Sequence, residues 1–359
     1  MFKVLLYPLV EYFTPFNVFQ YITFRAAYAA VTSLLLTLLL GPRVIRMLER
    51  WKIGEGIRSD GPQSHQKKTG TPTMGGLLLV FSTAFSVFLW MDISNLYTWI
   101  SLVAILGFGA VGFADDYIKV FLNNKQGLPS RVKMLGLLVV STVIMVMLYH
   151  SPVEYTTKLF IPMVKGAVLD LGVFFIPFGI FILVATSNAV NLTDGLDGLA
   201  TGLTIMVGLT FAALAYLTGR VDFSEYLQIP YLRGAGEISI LSFALVGACV
   251  GFLWFNSNPA EVFMGDTGSL MLGGVVGAIS LMIKKELLLV IVGGVFVIEV
   301  LSVIIQVVSF KIRKKRVFLM APLHHHFELK GWAENKVVLR FWILGGLFAI
   351  LSLSTLKIR

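Results

Sequence analysis

Residues 172–198 read GVFFIPFGIFILVATSNAVNLTDGLDG. Residues 172–189 carry no charged side chain, and a helix of that length, at about 1.5 Å per residue, approaches the roughly 30 Å of bilayer hydrocarbon. The polar residues follow at once: Asn188, Asn191, Asp194 and Asp197 crowd the end of the run, with glycines at 195 and 198 that let backbone approach a ligand closely. The stretch therefore joins a membrane span to a polar motif at its edge.

Working outward, runs of the same kind recur at 20–41, 73–91, 97–114, 132–149, 199–218, 237–255, 268–283, 287–310 and 337–356, ten with the first. The run at 268–283 is short and rich in glycine and reads least like a span. In hydrocarbon every backbone polar group must be satisfied internally, and the even length of the runs fits helices rather than the alternation of a barrel. The composition agrees: 57% of the 359 residues are hydrophobic and only 14% charged, with a mean hydropathy of +0.83. The expected fold is an all-α polytopic membrane bundle of about ten transmembrane helices forming one domain over 1–359. No intervening segment is long enough for a soluble domain, so the chemistry belongs to loops and helix ends.

The lone cysteine, Cys249, falls inside a span, so no internal disulfide is expected. The first run is not expected to be a cleaved signal, because the small residues Ala27 and Ala29 precede its apolar core. Of the 29 Lys and Arg, seven fall in 42–72, four in 115–133 and eight in 311–340, all in loops that follow odd-numbered spans. Positive loops stay in the cytoplasm, so those loops are expected inside and both termini outside. The net charge of +9 then reflects a basic face beside anionic lipid and calls for no nucleic acid.

Polar motifs collect on that same face. GFADDYIK (112–119) puts Asp115 and Asp116 at the end of the third span, and NSNPAEVFMGDTGS (256–269) puts Asn256, Phe263 and Asp266 between the seventh and eighth. SHQKKTGTPTMGG (64–76) contributes His65, Lys67, Lys68 and Thr73, and APLHHHFELKGW (321–332) contributes His324, His325 and His326. Five loops on one side point to one composite site. Adjacent carboxylates at a membrane border repel each other and are costly to desolvate without a cation or proton. Oxygen donors of this type suit Mg2+, which takes one or two carboxylates and completes its shell with phosphate oxygens and water. Three consecutive histidines cannot easily converge on one ion; beside Lys311, Arg313, Lys314, Lys315 and Arg316 they suit hydrogen bonding to phosphates. Asp194 and Asp197 would share a face if they begin a helix. Glu299 and Gln306, seven apart, share a face of the ninth span; Gln306 is placed to reach the site, and Glu299 is open to a site or a neighbouring-helix role. The chain has no G-x-x-x-x-G-K-[ST] loop, which argues against an ATP-driven pump. The pieces fit transfer between a soluble phosphorylated donor and a lipid phosphate whose tail stays in the bilayer.

The motifs FNVFQYITFRA, GTPTMGG, GFADDY, NAVNLTDGLDGLA, GFLWFNSNPAEVFMGDTGSL, GGVFVIEVLSVIIQV and APLHHHFELKGW together resemble the bacterial phospho-N-acetylmuramoyl-pentapeptide transferases. These belong to the polyprenyl-phosphate N-acetylhexosamine-1-phosphate transferase superfamily. The resemblance runs nearly end to end. It implies transfer of phospho-MurNAc-pentapeptide from UDP-MurNAc-pentapeptide to undecaprenyl phosphate, giving lipid I and UMP with Mg2+, by a homodimer in the bacterial cytoplasmic membrane. It also implies a groove for the lipid along a bent ninth helix. By the same resemblance Asp266 is the Mg2+ ligand with Asp115 and Asp116 close by, and Asp115 is the general base, while in a rival scheme one of these aspartates is a covalent nucleophile. Lys68, Leu196 and Asp197 match a uridine pocket with Phe263 stacking on the base. Asn191, Asp194, Asn256, Gln306, His324 and His325 match the rest of the nucleotide-sugar wall. Thr73, Asn188 and His326 fall within its motifs, His324 is grouped with the catalytic aspartates, and Lys119 and Lys133 match phosphate-holding positions. The triple histidine separates this reading from a sister enzyme that loads another sugar phosphate such as GlcNAc-1-phosphate. A secondary transporter would instead keep its polar residues near the bilayer midplane.

Overall fold

The structure is a computed structural model and describes residues 1–51, 70–122, 124, 126–151, 155–164, 166 and 168–357. Its frame is a set of long helices: α1 (Ile22–Arg50), α2 (Gly76–Trp90), α3 (Leu96–Phe121), α4 (Ser130–Tyr149), α5 (Phe175–Thr193), α6 (Leu199–Thr218), α7 (Gly236–Asn256), α8 (Gly265–Met282), α9 (Gly294–Arg313) and α10 (Glu334–Ser354). Each expected run is helical. Among the described residues nine helices are long and apolar enough to cross a membrane, and the multi-pass reading stands. The exception is α2, whose 15 residues extend only about 22 Å; the expected span at 73–91 loses its first turn because residues 72–76 bond through the main chain to the 263–264 segment and Met74 has φ at +72°, as described below.

The run that read least like a span is the centre of the bundle. Every residue of α8 from Thr267 to Met282 is buried, and α8 lies against α3 and α5. A side chain at Gly273 or Gly277 would overlap the Thr186 segment of α5, and one at Gly274 would overlap Phe108 of α3. Small residues are what let helices approach closely in a membrane. Hydropathy registers contact with lipid, and α8 has little, so its composition is set by its neighbours.

Two further boundaries differ from expectation. The first run was expected to end at Gly41, but α1 continues through Pro42 to Arg50 with Ile45 and Leu48 buried and Arg43, Arg46 and Arg50 outside. The amphipathic pattern carries the helix past the proline. The ninth run divides at Gly293 into a short helix, Leu289–Val292, and α9, because adjacent glycines at 293 and 294 weaken the helix there.

At one end of the bundle lie short helical turns before α1, a helix at Val221–Leu227 and a two-stranded hairpin of β1 (Lys158–Leu159) and β2 (Leu169–Asp170). This end is held by a buried ion pair: Arg25 donates to both carboxylate oxygens of Glu237 at 2.7 and 2.5 Å and to the Trp90 carbonyl at 3.0 Å. Removing one partner leaves the other charge buried without compensation, which costs about 3–5 kcal/mol. Arg25→Met is therefore expected to lower the thermal unfolding midpoint in detergent markedly. Adding Glu237→Leu should restore most of it, and equal midpoints for Arg25→Met and wild type would refute the assignment.

Candidate active site

At the opposite end three carboxylates converge. Asp115 and Asp116 come from the last turns of α3 and Asp266 from the first turn of α8, and their oxygens lie within 4.8 Å of one another. They meet because Gly112, one turn before Asp115, lets α3 close onto the α8 backbone: a Cβ there would fall on the carbonyl of Asp266.

The carboxylates have different partners. Asp116 is fixed in place: one oxygen accepts the Asp266 amide at 3.1 Å, and the other accepts the Thr267 amide at 2.8 Å and hydroxyl at 2.6 Å. It thus caps the start of α8 from a different helix, satisfying N–H groups that a helix leaves free. Asp266 faces cations: one oxygen takes Lys119 at 2.6 Å and Lys133 at 2.9 Å, and the other accepts from the Asn191 amide, which also donates to the Ser269 hydroxyl. Asp115 pairs with Lys119 at 2.6 Å and accepts the Leu128 amide at 2.7 Å. Gly127 folds over it with φ at +66°, its Cβ position 2.6 Å from an Asp115 oxygen. The aspartates are the floor, and Lys119, 37% exposed, stands at the rim.

The set suits a hard divalent cation: among the described residues its ligand atoms are the oxygens of three carboxylates, without sulfur or imidazole. Two lysines against three carboxylates also leave a net negative pocket.

Thr73 joins this group. Phe263 donates its amide to the Pro72 carbonyl at 2.8 Å, and Gly75 and Gly76 donate to the Phe263 and Met264 carbonyls at 2.9 and 2.8 Å. This pairing brings the Thr73 hydroxyl beside Gly265 and Asp116. Lys68, with His65 and Lys67, lies outside the described residues.

A second cluster adjoins the first. Asn256 is buried, accepting from the Gly198 amide and Thr201 hydroxyl and donating to the Val262 carbonyl. The buried Asp197 carboxylate accepts from Asn258 and the Ala260 amide, and its own amide donates to Glu334. These bonds hold the turn between α5 and α6 against the 256–263 loop, with Leu196 buried and Phe263 half-buried. The expectation that Asp194 and Asp197 share a helix face does not hold: Asp194 caps the end of α5, and Asp197 precedes α6 in a turn whose Gly198 has φ at +76°. Asn188 donates to the Val184 carbonyl of its own helix at 2.8 Å.

The histidines lie on a short helix, Leu323–Leu329, and fan apart. His324 is fully buried against Gly195, with a ring nitrogen where a Cβ would stand and Nδ1 3.3 Å from Glu299. His325 meets Glu328 at 2.8 Å. His326 accepts the Leu319 amide on Nδ1 at 3.1 Å; burial of the ring, aided by Lys330, holds its pKa below the usual imidazole value, in keeping with a neutral acceptor. Gln306 accepts from the Val317 and Phe318 amides and donates to the Phe318 carbonyl.

Sequence reading did not pick out Thr267, Ser269, Asn258 or Glu334. The first two sit inside the GDTGS motif and were within reach of it; Glu334 is linked to Asp197 across 137 residues and left no local signal.

A family model described as glycosyl transferase family 4 matches residues 98–284. The chain is 49% identical to a phospho-N-acetylmuramoyl-pentapeptide-transferase of Thermodesulfovibrio yellowstonii over 100% of both chains. It is 51% and 52% identical to proteins of the same name from Citrifermentans bemidjiense and Desulforapulum autotrophicum, over 99% of each chain.

Proposed function

The chain belongs to the phospho-N-acetylmuramoyl-pentapeptide-transferase family, and we propose from that premise that the cluster of Asp115, Asp116, Asp266, Lys119 and Lys133 is where it performs the transfer. The protein is a multi-pass membrane enzyme of peptidoglycan synthesis that moves phospho-MurNAc-pentapeptide from UDP-MurNAc-pentapeptide to a polyprenyl phosphate. The acceptor in this proposal is undecaprenyl phosphate, and the products are lipid I and UMP. The observation that carries the site assignment is three carboxylates and two lysines within bonding reach at one end of the bundle, where a soluble donor and a lipid headgroup can meet.

An oxygen of the acceptor phosphate attacks the β-phosphorus of the donor, and the bond from that phosphorus to the UMP oxygen breaks. Asp115 takes the acceptor's proton when one is present. Lys119 and Lys133 hold phosphate oxygens and offset the charge that builds between them, while Asp116 keeps the start of α8, and so Asp266, in register. Mg2+ is the cofactor in this reading, held by Asp266 with Asp115 and Asp116 beside it, and when bound it supplies Lewis acidity toward the phosphoryl oxygens. The uridine is read by Leu196, Asp197, Lys68 and Phe263. Thr73, Asn188, Asn191, Asp194, Asn256, Gln306 and the three histidines build the surrounding wall, Asn191 and Thr73 standing against the carboxylates and His324 acting from behind the Gly195 turn. Several of these act by shaping the wall: Asn256 and Gln306 direct their polar atoms into the protein. One phosphoanhydride is lost and one gained, so no ATP is needed.

The site end faces the cytoplasm in this proposal, both termini face outward, and the single domain works as a homodimer in the bacterial cytoplasmic membrane. The basic loops support that orientation. His325→Cys should be labelled only by reagents that cross the membrane, and Cys249, fully buried, will not compete. Labelling of residue 325 from outside the cell would reverse the topology.

The functional test is UMP release by detergent-purified protein given UDP-MurNAc-pentapeptide, undecaprenyl phosphate and Mg2+. Release that needs the lipid, stops with EDTA and fails with UDP-GlcNAc is the expected result. Equal release from UDP-GlcNAc would point to the sister specificity.

A further inference from the structure

After α9 the chain turns at Lys314, where φ is +55°, and runs back along the helix it has just left. Three side chains of α9 hold it there in sequence. Ser309 donates to the Lys315 carbonyl at 2.9 Å. Gln306 accepts the Val317 and Phe318 amides, each at 3.0 Å. Glu299 accepts the Leu323 amide at 2.6 Å and the His324 amide at 3.2 Å. Positions 299, 306 and 309 lie on one helix face, so α9 has a polar seam down one side and an outward apolar face of Leu301, Ile304, Ile305 and Val308 on the other.

The Glu299 contact is the deepest of the three. Its carboxylate is wholly buried, as is the His324 ring, and a buried carboxylate persists only when its oxygens are well satisfied. The two amides it accepts are the first two of the short histidine helix. That helix sets His324 directly against Gly195, in the turn between Asp194 and Asp197. An unbroken series of contacts thus leads from the membrane-embedded face of α9, through Glu299 and the histidine helix, to that turn.

We propose that Glu299 is a positioning residue for the transfer: by fixing the start of the histidine helix it sets the stance of His324 against the Gly195 turn, and with it the grip on the nucleotide-sugar donor. This rests on the reading above that the turn and the histidines form the donor wall. The carboxylate is required because it presents two acceptors to two donors. A glutamine keeps one acceptor and turns its amide N–H toward the other donor, and an aspartate is one methylene short of spanning both.

The test is steady-state UMP release by Glu299→Gln in detergent, with the KM of each substrate measured separately. The expected result is a KM for UDP-MurNAc-pentapeptide raised about tenfold, with the KM for undecaprenyl phosphate and kcat each within about threefold of wild type, the signature of lost donor binding. Ser302→Ala, which removes a hydroxyl that donates to the Glu299 backbone carbonyl and leaves its carboxylate untouched, should match wild type. An unchanged donor KM overturns the proposal. So does a fall in kcat and melting temperature with both KM values intact, which would mean a packing role alone. Should Glu299→Gln not be recovered folded, hydrogen exchange on Glu299→Asp decides. Faster exchange confined to 323–326 supports the clasp, and unchanged or uniformly faster exchange refutes it. The exchange readout needs no turnover, so failure of the clasp is separable from failure of the proposed reaction, which wild-type turnover tests.

Discussion

Asp266→Asn is expected to lower kcat for UMP release by about a thousandfold, equivalent to about 4 kcal/mol of lost transition-state stabilisation, in protein that remains folded. One Asp266 oxygen receives both lysines and the other receives Asn191, so three donors hold the carboxylate in place beside the other two aspartates. An asparagine keeps the shape but removes the negative charge and turns an amide N–H toward either the lysines or Asn191. It also removes the carboxylate that reaches Asp115's two lysines from the facing helix, and a metal held there would lose its best ligand. The fold should survive, because Asp116 and Thr267 hold the Asp266 segment through the main chain and the Thr267 hydroxyl, not through the side chain being changed. The measurement is kcat at saturating substrates beside a melting curve. A variant within tenfold of wild type would remove Asp266 from the centre of the mechanism.

Gly265→Ala should cost about a hundredfold in kcat without altering any group that meets substrate. Gly265 has φ at +72°, and a Cβ there would lie 2.7 Å from an Asp116 oxygen and 3.1 Å from the Thr73 hydroxyl. The left-handed backbone alone costs an L-residue about 1–2 kcal/mol, which affects stability more than rate. The effect on rate comes from the displaced carboxylate: Asp116 holds the amides of Asp266 and Thr267, so its shift carries Asp266 with it, and a misplacement of about 1 Å can reduce turnover a hundredfold. Gly166→Ala is the control. Gly166 has a similar φ of +75° with no atom of the described residues within 4 Å of its Cβ position, so it carries the same backbone strain without the collision, and kcat should stay within a few-fold of wild type. Parallel loss in both variants would show that strain, not the displaced cap, accounts for the effect.

Much of this protein is legible in its sequence because lipid imposes a local rule. A segment such as 172–189 must satisfy its own backbone and present apolar side chains to hydrocarbon, so length and hydropathy mark it without reference to the rest of the chain. The gathering of polar motifs at one end was equally local, since each motif adjoins a span whose direction follows by counting. Tertiary structure decided what depends on neighbours. It made 268–283, the least span-like run, the centre of the bundle, because a helix surrounded by protein is selected for small residues and not for contact with lipid. It separated three aspartates that look alike in sequence into one that caps a helix, one that faces two lysines from the opposing helix and one covered by a loop. It fanned three consecutive histidines onto different partners and turned Glu299 toward a loop 24 residues further on. Sequence sets which groups reach the membrane border; the crossing of α3 over α8 and the return of the chain along α9 set which atoms each group meets, and those are long-range packing outcomes with no local signature.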